Sequence, residues 1–440
     1  RLDDGIISEC REIRKEKSII VSLEDLDAHT KLNPEQEQAF KIILERIDCG
    51  QSGLFFIDGP GGTGKTFLYR ALLANIRSRD MIELATVTSG VAAALLSGGC
   101  TAHSRFEIPL QTTDATVTRM SKQSVGAKLI KKAKLIIWDE ASMASRRTIK
   151  PADRSFRDIL DINEPFGGKI MVFEGDFRQV LLVIPKSTRS ETVNASLVKS
   201  HLWHRMERIK LTKNMRARTD QSLSEFLLRI GNGEKPTIRD DLVLLPKQLV
   251  IQNTSNSPGE DTLVKEIFPS MDKNASGAKY MIERAILARR NEYVDQLNEM
   301  LIFKFPGESR TFLSFDSAED DTNNYYQEDY LNTLTPNGLP PHKLVLKKNA
   351  SIMLLRNLDA SNGLCNDTRI ICRGFDKNVI HAEIMIGENA FKHVFIPRIQ
   401  LSPPENEGYS FKFIRKQFSV RLRFLMTINK AQRQTIPTVG

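Results

Sequence analysis

Apolar residues recur at helical spacing behind Asn33 and Pro34. Ala39, Phe40, Ile43, Leu44 and Ile47 share one face, and the Asn-Pro pair supplies a helix-start signal. A strand-type run follows at Leu54-Phe55-Phe56-Ile57, then a glycine-rich turn, then a second helical stretch from Lys65 to about Arg77. Apolar runs at 85–87, 135–138 and 170–173 alternate with further helical segments, the pattern of a parallel sheet covered by helices. Between about Leu344 and Leu401 the period shortens. Ser351–Leu355, Thr368–Cys372, Val379–Ile386 and His393–Ile396 are β-type runs separated by turn residues, which predicts a small β-barrel. Asn253–Gly259 and the acidic Glu319-Asp320-Asp321 are turn-rich places where units can divide, and residues 1–30 form a polar lead-in.

A chain of 440 residues is long enough for about three structural units. With 40% hydrophobic and 27% charged residues it has a globular composition, and no apolar run approaches the roughly 20 residues of a membrane span, so no membrane partner is expected. The lead-in lacks the short apolar core of a secretory signal, and the sequence opens on Arg1, as a fragment would. A formal charge of +9 favours a polyanionic partner, because cationic side chains release counterions condensed on phosphates. Cys10, Cys49, Cys100, Cys365 and Cys372 lie far apart, with neither zinc spacing nor the density of a disulfide scaffold.

The glycine-rich turn is Gly59-Pro60-Gly61-Gly62-Thr63-Gly64-Lys65-Thr66, which fits G-x-x-x-x-G-K-[ST] between a strand and a helix. Such a loop turns backbone N–H groups toward phosphate oxygens, with Lys65 placed for the β- and γ-phosphates of ATP and the Thr66 hydroxyl for Mg²⁺. Leu135-Ile136-Ile137-Trp138 ends in Asp139-Glu140, at a distance suited to a neighbouring strand of the same sheet. There Asp139 suits the metal and Glu140 suits the base that deprotonates an attacking water. An isolated acid pair after a strand is commonly a helix cap. The phosphate loop turns the balance toward an ATPase.

Four further segments follow in order: Leu32-Asn33-Pro34-Glu35-Gln36, Thr101-Ala102-His103-Ser104, Gly175-Asp176-Phe177-Arg178-Gln179 and Leu211-Thr212-Lys213-Asn214-Met215-Arg216. With the two motifs above they resemble the ordered set of the Pif-type DNA helicases of superfamily one, especially divergent members tied to Helitron-like mobile elements. The resemblance implies an α/β fold of two RecA-like domains with parallel sheets, the second interrupted by a small β-barrel. The corresponding bounds are 31–232 for the first domain, 233–343 for the first part of the second, 344–410 for the barrel and 411–440 for the return. It also implies Mg-ATP-driven 5′-to-3′ translocation on single-stranded DNA and unwinding at ss/ds junctions, in repair, recombination or telomere maintenance. A nuclear address goes with it, a mitochondrial one being the alternative, and oligomeric state is left open. By the same resemblance Gln36 reads the adenine edge, Gln179 contacts the γ-phosphate and attacking water, and Arg216 neutralises charge on the transferred phosphoryl. Thr101, His103 and Ser104 then lie near the DNA path.

In the second half, Ala285–Ala288 with Asn291, Val294 and Asn298 resembles the opening strand and helix of the second domain, and Phe424–Gln432 resembles the segment coupling nucleotide state to DNA grip. Lys412, Arg415, Lys416, Arg421, Arg423 and Lys430 alternate there with Phe411, Phe413, Phe418 and Phe424, a mix suited to phosphate contacts or to alternating strand core. The chain departs from the family pattern at Glu174 and Arg433, where glycine is usual, at Leu182, where proline is usual, and at Pro151, which interrupts a helical segment. The arginine-bearing motif that follows the coupling segment in the family is not reached by Gly440, so slow hydrolysis is expected of these 440 residues. Two other classes stay open: a decayed mobile-element product that binds without turnover, and an ATP-switched scaffold.

Overall fold

The computed structural model describes residues 13–93, 96–179, 182–184, 187–217, 220–239, 242–251, 259–319, 321, 325–359, 362–385, 387, 389–403, 409–432 and 434–440. Arg433 and most of Asn253–Gly259 lie outside the described residues. The chain divides into two compact units, Arg1–Leu244 and Leu245–Gly440, so the first extends beyond position 232.

The first unit is built on six strands: β1 (Gly53–Asp58), β2 (Ile82–Val87), β3 (Cys100–Thr101), β4 (Ala133–Asp139), β5 (Ile170–Gly175) and β6 (Glu207–Lys210). Their order is β3-β2-β4-β5-β1-β6, and every pairing is parallel. Alternate residues face opposite sides. Phe56, Leu84, Ile136, Trp138 and Phe173 enter one apolar core, while Phe55, Ile57, Ile137 and Val172 enter the other. Burial on both faces explains why these runs are continuously apolar. The sheet also corrects an expectation: the acid-bearing β4 does not neighbour β1, because β5 lies between them. Strand order depends on crossovers that spacing along the chain does not encode.

Helix α1 (Pro34–Asp48) precedes β1, and α2 (Lys65–Ser78) follows the phosphate loop. Helix α3 (Arg146–Leu160) runs unbroken through Pro151, contrary to the expected interruption. Proline forfeits one N–H···O bond. The burial of Ile149, Ala152, Phe156 and Ile159 on the same helix outweighs it.

In the second unit β7 (Arg284–Ala288) leads into α4 (Asn291–Lys304). Two short strands, Leu425–Thr427 and Thr438–Val439, flank β7 in a parallel three-stranded sheet. Asn298, 2% exposed, ties α4 to the chain entering that sheet. Its amide donates to the carbonyls of Leu422 and Leu425 and accepts from the N–H groups of Phe424 and Leu425. A seven-stranded sheet joins Phe315–Ala318, Phe413–Phe418, His393–Leu401, Val379–Ile384, Arg369–Phe375, Ser351–Leu354 and Val420–Leu422, in that spatial order, all antiparallel. Strands on both sides of 344–410 therefore belong to it. Among the described residues no pairing joins its edge strands into a closed ring, and a separate hairpin of Ser309–Leu313 and Lys343–Lys347 packs Phe312 against Phe418. No helix among the described residues is long and apolar enough to cross a membrane.

Candidate nucleotide site

The loop between β1 and α2 is shaped by two left-handed glycines. Gly62 has φ 91° and Gly64 has φ 78°, conformations that disfavour any side chain. Space forbids one too: a Cβ on Gly64 would lie 2.4 Å from Gln36 Nε2, and one on Gly62 would lie 2.6 Å from Asn214 Oδ1. Gly59 and Thr63 are buried, and the Thr63 hydroxyl donates to the Pro60 carbonyl at 2.9 Å. Lys65, 7% exposed, opens α2 and directs Nζ back to the carbonyls of Gly59 at 2.5 Å and Pro60 at 3.3 Å. Thr66 stands next to it, half-buried in the first turn. One N–H of the loop meets a carboxylate oxygen, Gly61 donating to Asp176 Oδ2 at 3.1 Å.

Motifs distant in sequence converge on this loop. Gln36 is 1% exposed and completes a capping box with Asn33, its Oε1 accepting from the Asn33 N–H. Its Nε2 donates to the carbonyls of Thr63 and Gly64 at 3.0 and 3.2 Å, so here the amide braces the phosphate loop. From the other side the N–H groups of Met215 and Arg216 donate to the Gly62 carbonyl at 2.7 and 3.3 Å, and Asn214 Nδ2 donates to the Gly61 carbonyl at 3.3 Å. Arg216 itself is exposed. Glu35 anchors that segment by accepting from the N–H and hydroxyl of Thr212. Gln179, also exposed, donates through Nε2 to Asp176 Oδ2 at 3.1 Å, which places it beside Gly61. Arg178 joins the ends of two strands, its Nη1 reaching both Asp58 and Asp176 at 3.2 Å.

Asp139 ends β4 and Glu140 follows it, 2% and 6% exposed. Glu140 has φ 57°, a left-handed value that costs a non-glycine residue on the order of 1–3 kcal/mol. Its N–H donates to Asp139 Oδ1 at 3.0 Å and to Glu174 Oε2 at 3.3 Å. Glu174, on the intervening strand, also lies 3.1 Å from Lys65 Nζ through Oε1. Sequence reasoning registered Glu174 only as a departure. Nothing in the spacing pointed to its position between the loop and the acid pair, because that follows from strand order. Thr101 caps the short helix Ala102–Arg105, its hydroxyl accepting from the Ser104 N–H at 3.3 Å, while burial holds the His103 pKa below its usual value.

The donor set fits a magnesium nucleotide. It offers a cradle with no room for side chains at Gly62 and Gly64, a buried ammonium, a hydroxyl in the first helical turn and a carboxylate at a strand end.

Comparison with known proteins agrees. The PIF1-like helicase family model matches residues 31–241, and the model of the DNA helicase Pif1 2B domain matches 329–375. The chain belongs to the PIF1-like helicase family. It is 26% identical over 423 residues to the ATP-dependent DNA helicase PIF1 of Homo sapiens, covering 93% of this chain and 57% of that protein. The ATP-dependent DNA helicase Pif1 of Bdellovibrio bacteriovorus is 24% identical, covering 92% of this chain and 80% of its own. The chain thus spans under two thirds of the human relative, and likewise 57% of the Xenopus laevis one. In fold it is similar to the Pif1 helicase from Bacteroides in complex with ADP-AlF3 and ssDNA, with a TM-score of 0.64, 21% identity and coverage of 91% and 84% of the two chains. A structure of two coordinating Pif1 helicases at forked dsDNA gives 0.62 at 22% identity, with coverage of 91% and 83%.

Within unit 2 the basic stretch divides between core and surface. Arg415 is 1% exposed and forms a double hydrogen bond with Asp316, Nη2 to Oδ2 at 2.6 Å and Nε to Oδ1 at 3.0 Å. Lys412 pairs with Glu319, Lys430 with Asp367 and Arg421 with Asp295. Arg423 is buried, and Phe413, Phe418 and Phe424 are core. Lys416 alone of the six basic residues is exposed with no ion pair among the described residues.

Proposed function

We propose that this chain is the motor of an ATP-dependent DNA helicase that couples Mg-ATP hydrolysis to 5′-to-3′ movement along single-stranded DNA and to opening of duplex at ss/ds junctions. The observation that carries the reading is the convergence on one loop of Gln36, Asp176–Gln179 and Asn214–Arg216, which are far apart in sequence. A glycine-rich turn matching by chance has no reason to be braced by these segments. Bound Mg-ATP would supply a phosphoryl group for transfer to water. Lys65 and the loop N–H groups would hold phosphate charge, Thr66 and Asp139 would hold the cation, Glu140 would take the proton of the water, and Gln179 and Arg216 would contact the transferred group.

Family membership supports the helicase activity and the DNA partner. Action in repair, recombination or telomere maintenance, in the nucleus, belongs to the same proposal. The deciding experiment is ATP hydrolysis with and without single-stranded DNA at two salt concentrations. Stimulation by DNA, with affinity that weakens steeply with salt and little sequence preference, is the expected result. Turnover indifferent to DNA, or requiring a protein partner, would instead favour the scaffold reading.

A further inference from the structure

The strand between the phosphate loop and the acid pair carries an acid to which the ATPase reading assigns no task. Glu174 precedes the last residue of β5, in register with Ile57 of β1, and is 2% exposed. Both its oxygens point at the machinery: Oε1 lies 3.1 Å from Lys65 Nζ, and Oε2 accepts from the Glu140 N–H at 3.3 Å. Its neighbours Val172 and Phe173 are fully buried and apolar, so packing alone gives no reason for a carboxylate here. A buried carboxylate is costly unless charge and hydrogen bonds compensate it. The compensation comes from the ammonium placed for nucleotide phosphates.

Lys65 has three N–H donors, and the carbonyls of Gly59 and Pro60 and the Glu174 carboxylate all lie within reach of them. An incoming anion must displace at least one. Resting on Lys65 as the phosphate-binding residue, we propose that Glu174 is an internal phosphate mimic, a latch that holds Lys65 and the Glu140 backbone together until the β- and γ-phosphates of a nucleotide compete it away. Glu174 is thus a positioning residue that sets nucleotide affinity, while the hydrolytic step stays with Glu140. Because the latch joins the first residue of α2, β5 and the residue that follows β4, its release removes one of the two acceptors of the Glu140 N–H, leaving Asp139 Oδ1 as the other, in the same event that engages Lys65.

Glu174→Gln keeps the size of the side chain and an oxygen to accept from the Glu140 N–H, and it removes the charge that attracts Lys65. Glu174→Gly removes the side chain altogether. Binding of a fluorescent Mg-ADP analogue and of a non-hydrolysable Mg-ATP analogue is measured on the full 440-residue chain for the parent, Glu174→Gln, Glu174→Gly and Lys65→Ala. The expected result is on the order of tenfold tighter binding for either Glu174 variant, the effect of one charge-assisted hydrogen bond no longer to be displaced. KM for ATP falls with it, while kcat changes by less than about twofold. A merely structural ion pair predicts the opposite, since its loss loosens the loop. A folded Glu174→Gln that binds as the parent does, or more weakly, overturns the latch while leaving the nucleotide site intact. Should that variant not fold, Glu174→Gly is read in the same way. Equal binding by parent and Lys65→Ala would overturn the site assignment itself, and the latch with it.

Discussion

The chain buries charge in two regions, and they are built to different ends. Around the phosphate loop, Lys65, Asp139, Glu140, Glu174 and Asp176 are all under 10% exposed, and their partners include backbone groups of the loop, one another and, for Asp176, the side chains of Arg178 and Gln179. Around Arg415 the charge is equally buried, yet the guanidinium is tied into the fold on several sides: it binds Asp316 and donates to the carbonyls of Leu334 and Pro340. The first arrangement can exchange an internal anion for an external one, because a strand end and a glycine loop leave room for it. The second lies within an antiparallel sheet and holds strands together. Buried charge is therefore no index of function until its partners are known.

The largest expected difference is catalytic. Lys65→Ala should abolish nucleotide binding or turnover, whereas Glu140→Gln should keep Mg-ATP binding and lower hydrolysis by about 10²–10⁴-fold, the usual contribution of a general base. Single-turnover hydrolysis beside equilibrium binding checks the pair, and parental turnover by Glu140→Gln would remove the base assignment. Next comes Asp316→Ala, which strands the Arg415 guanidinium. It should cost about 3–5 kcal/mol of stability, visible in denaturant unfolding of unit 2, without weakening nucleotide binding by unit 1. If nucleotide binding fell and stability did not, the contrast between the two regions would collapse.

An effect of comparable size at most, and dependent on pH, concerns Glu83 on β2, which pairs with Arg77 and whose carboxyl burial pushes up to about 8. The folded protein then holds a proton that the unfolded chain releases near 4.5, so stability is full below that value and declines as pH rises toward 8. The slope is at most about 1.4 kcal/mol per pH unit. Thermal unfolding of Glu83→Gln should show this part of the pH dependence flattened, and an unchanged profile would refute it. The smallest effect is that of Lys416→Ala. This exposed site should alter stability by no more than about 0.5 kcal/mol, and any role of Lys416 in the DNA path would appear instead as a shallower salt dependence of binding.

Much of the first unit was legible in the sequence because its signals are local. Asn33-Pro34 caps α1, the apolar run 54–57 lies within β1, and Gly59–Thr66 forms a loop in which Gly62 and Gly64 have φ values that only glycine accepts readily. Alternation likewise marked Phe413 and Phe418 as strand residues. Less legible were features set by what a segment packs against. Proline at 151 signals a break, and α3 continues because its apolar face is buried. A lysine-and-arginine run signals a nucleic-acid surface, yet most of it finds carboxylates from elsewhere in unit 2.

The sequence by itself determined the loop, the acid pair and the ordered motifs, since each is a short string whose residue types are required by backbone conformation or by charge at that place. Only the tertiary structure decided which strand lies between β1 and β4. That order puts Glu174 against Lys65 and the Glu140 backbone, and turns an isolated substitution into part of the site. The physical reason is range. Glycine φ angles, helix caps and alternating burial act over a few residues, whereas the pairing of charges under 10% exposed depends on crossovers that bring positions about a hundred residues apart to within 3.1 Å.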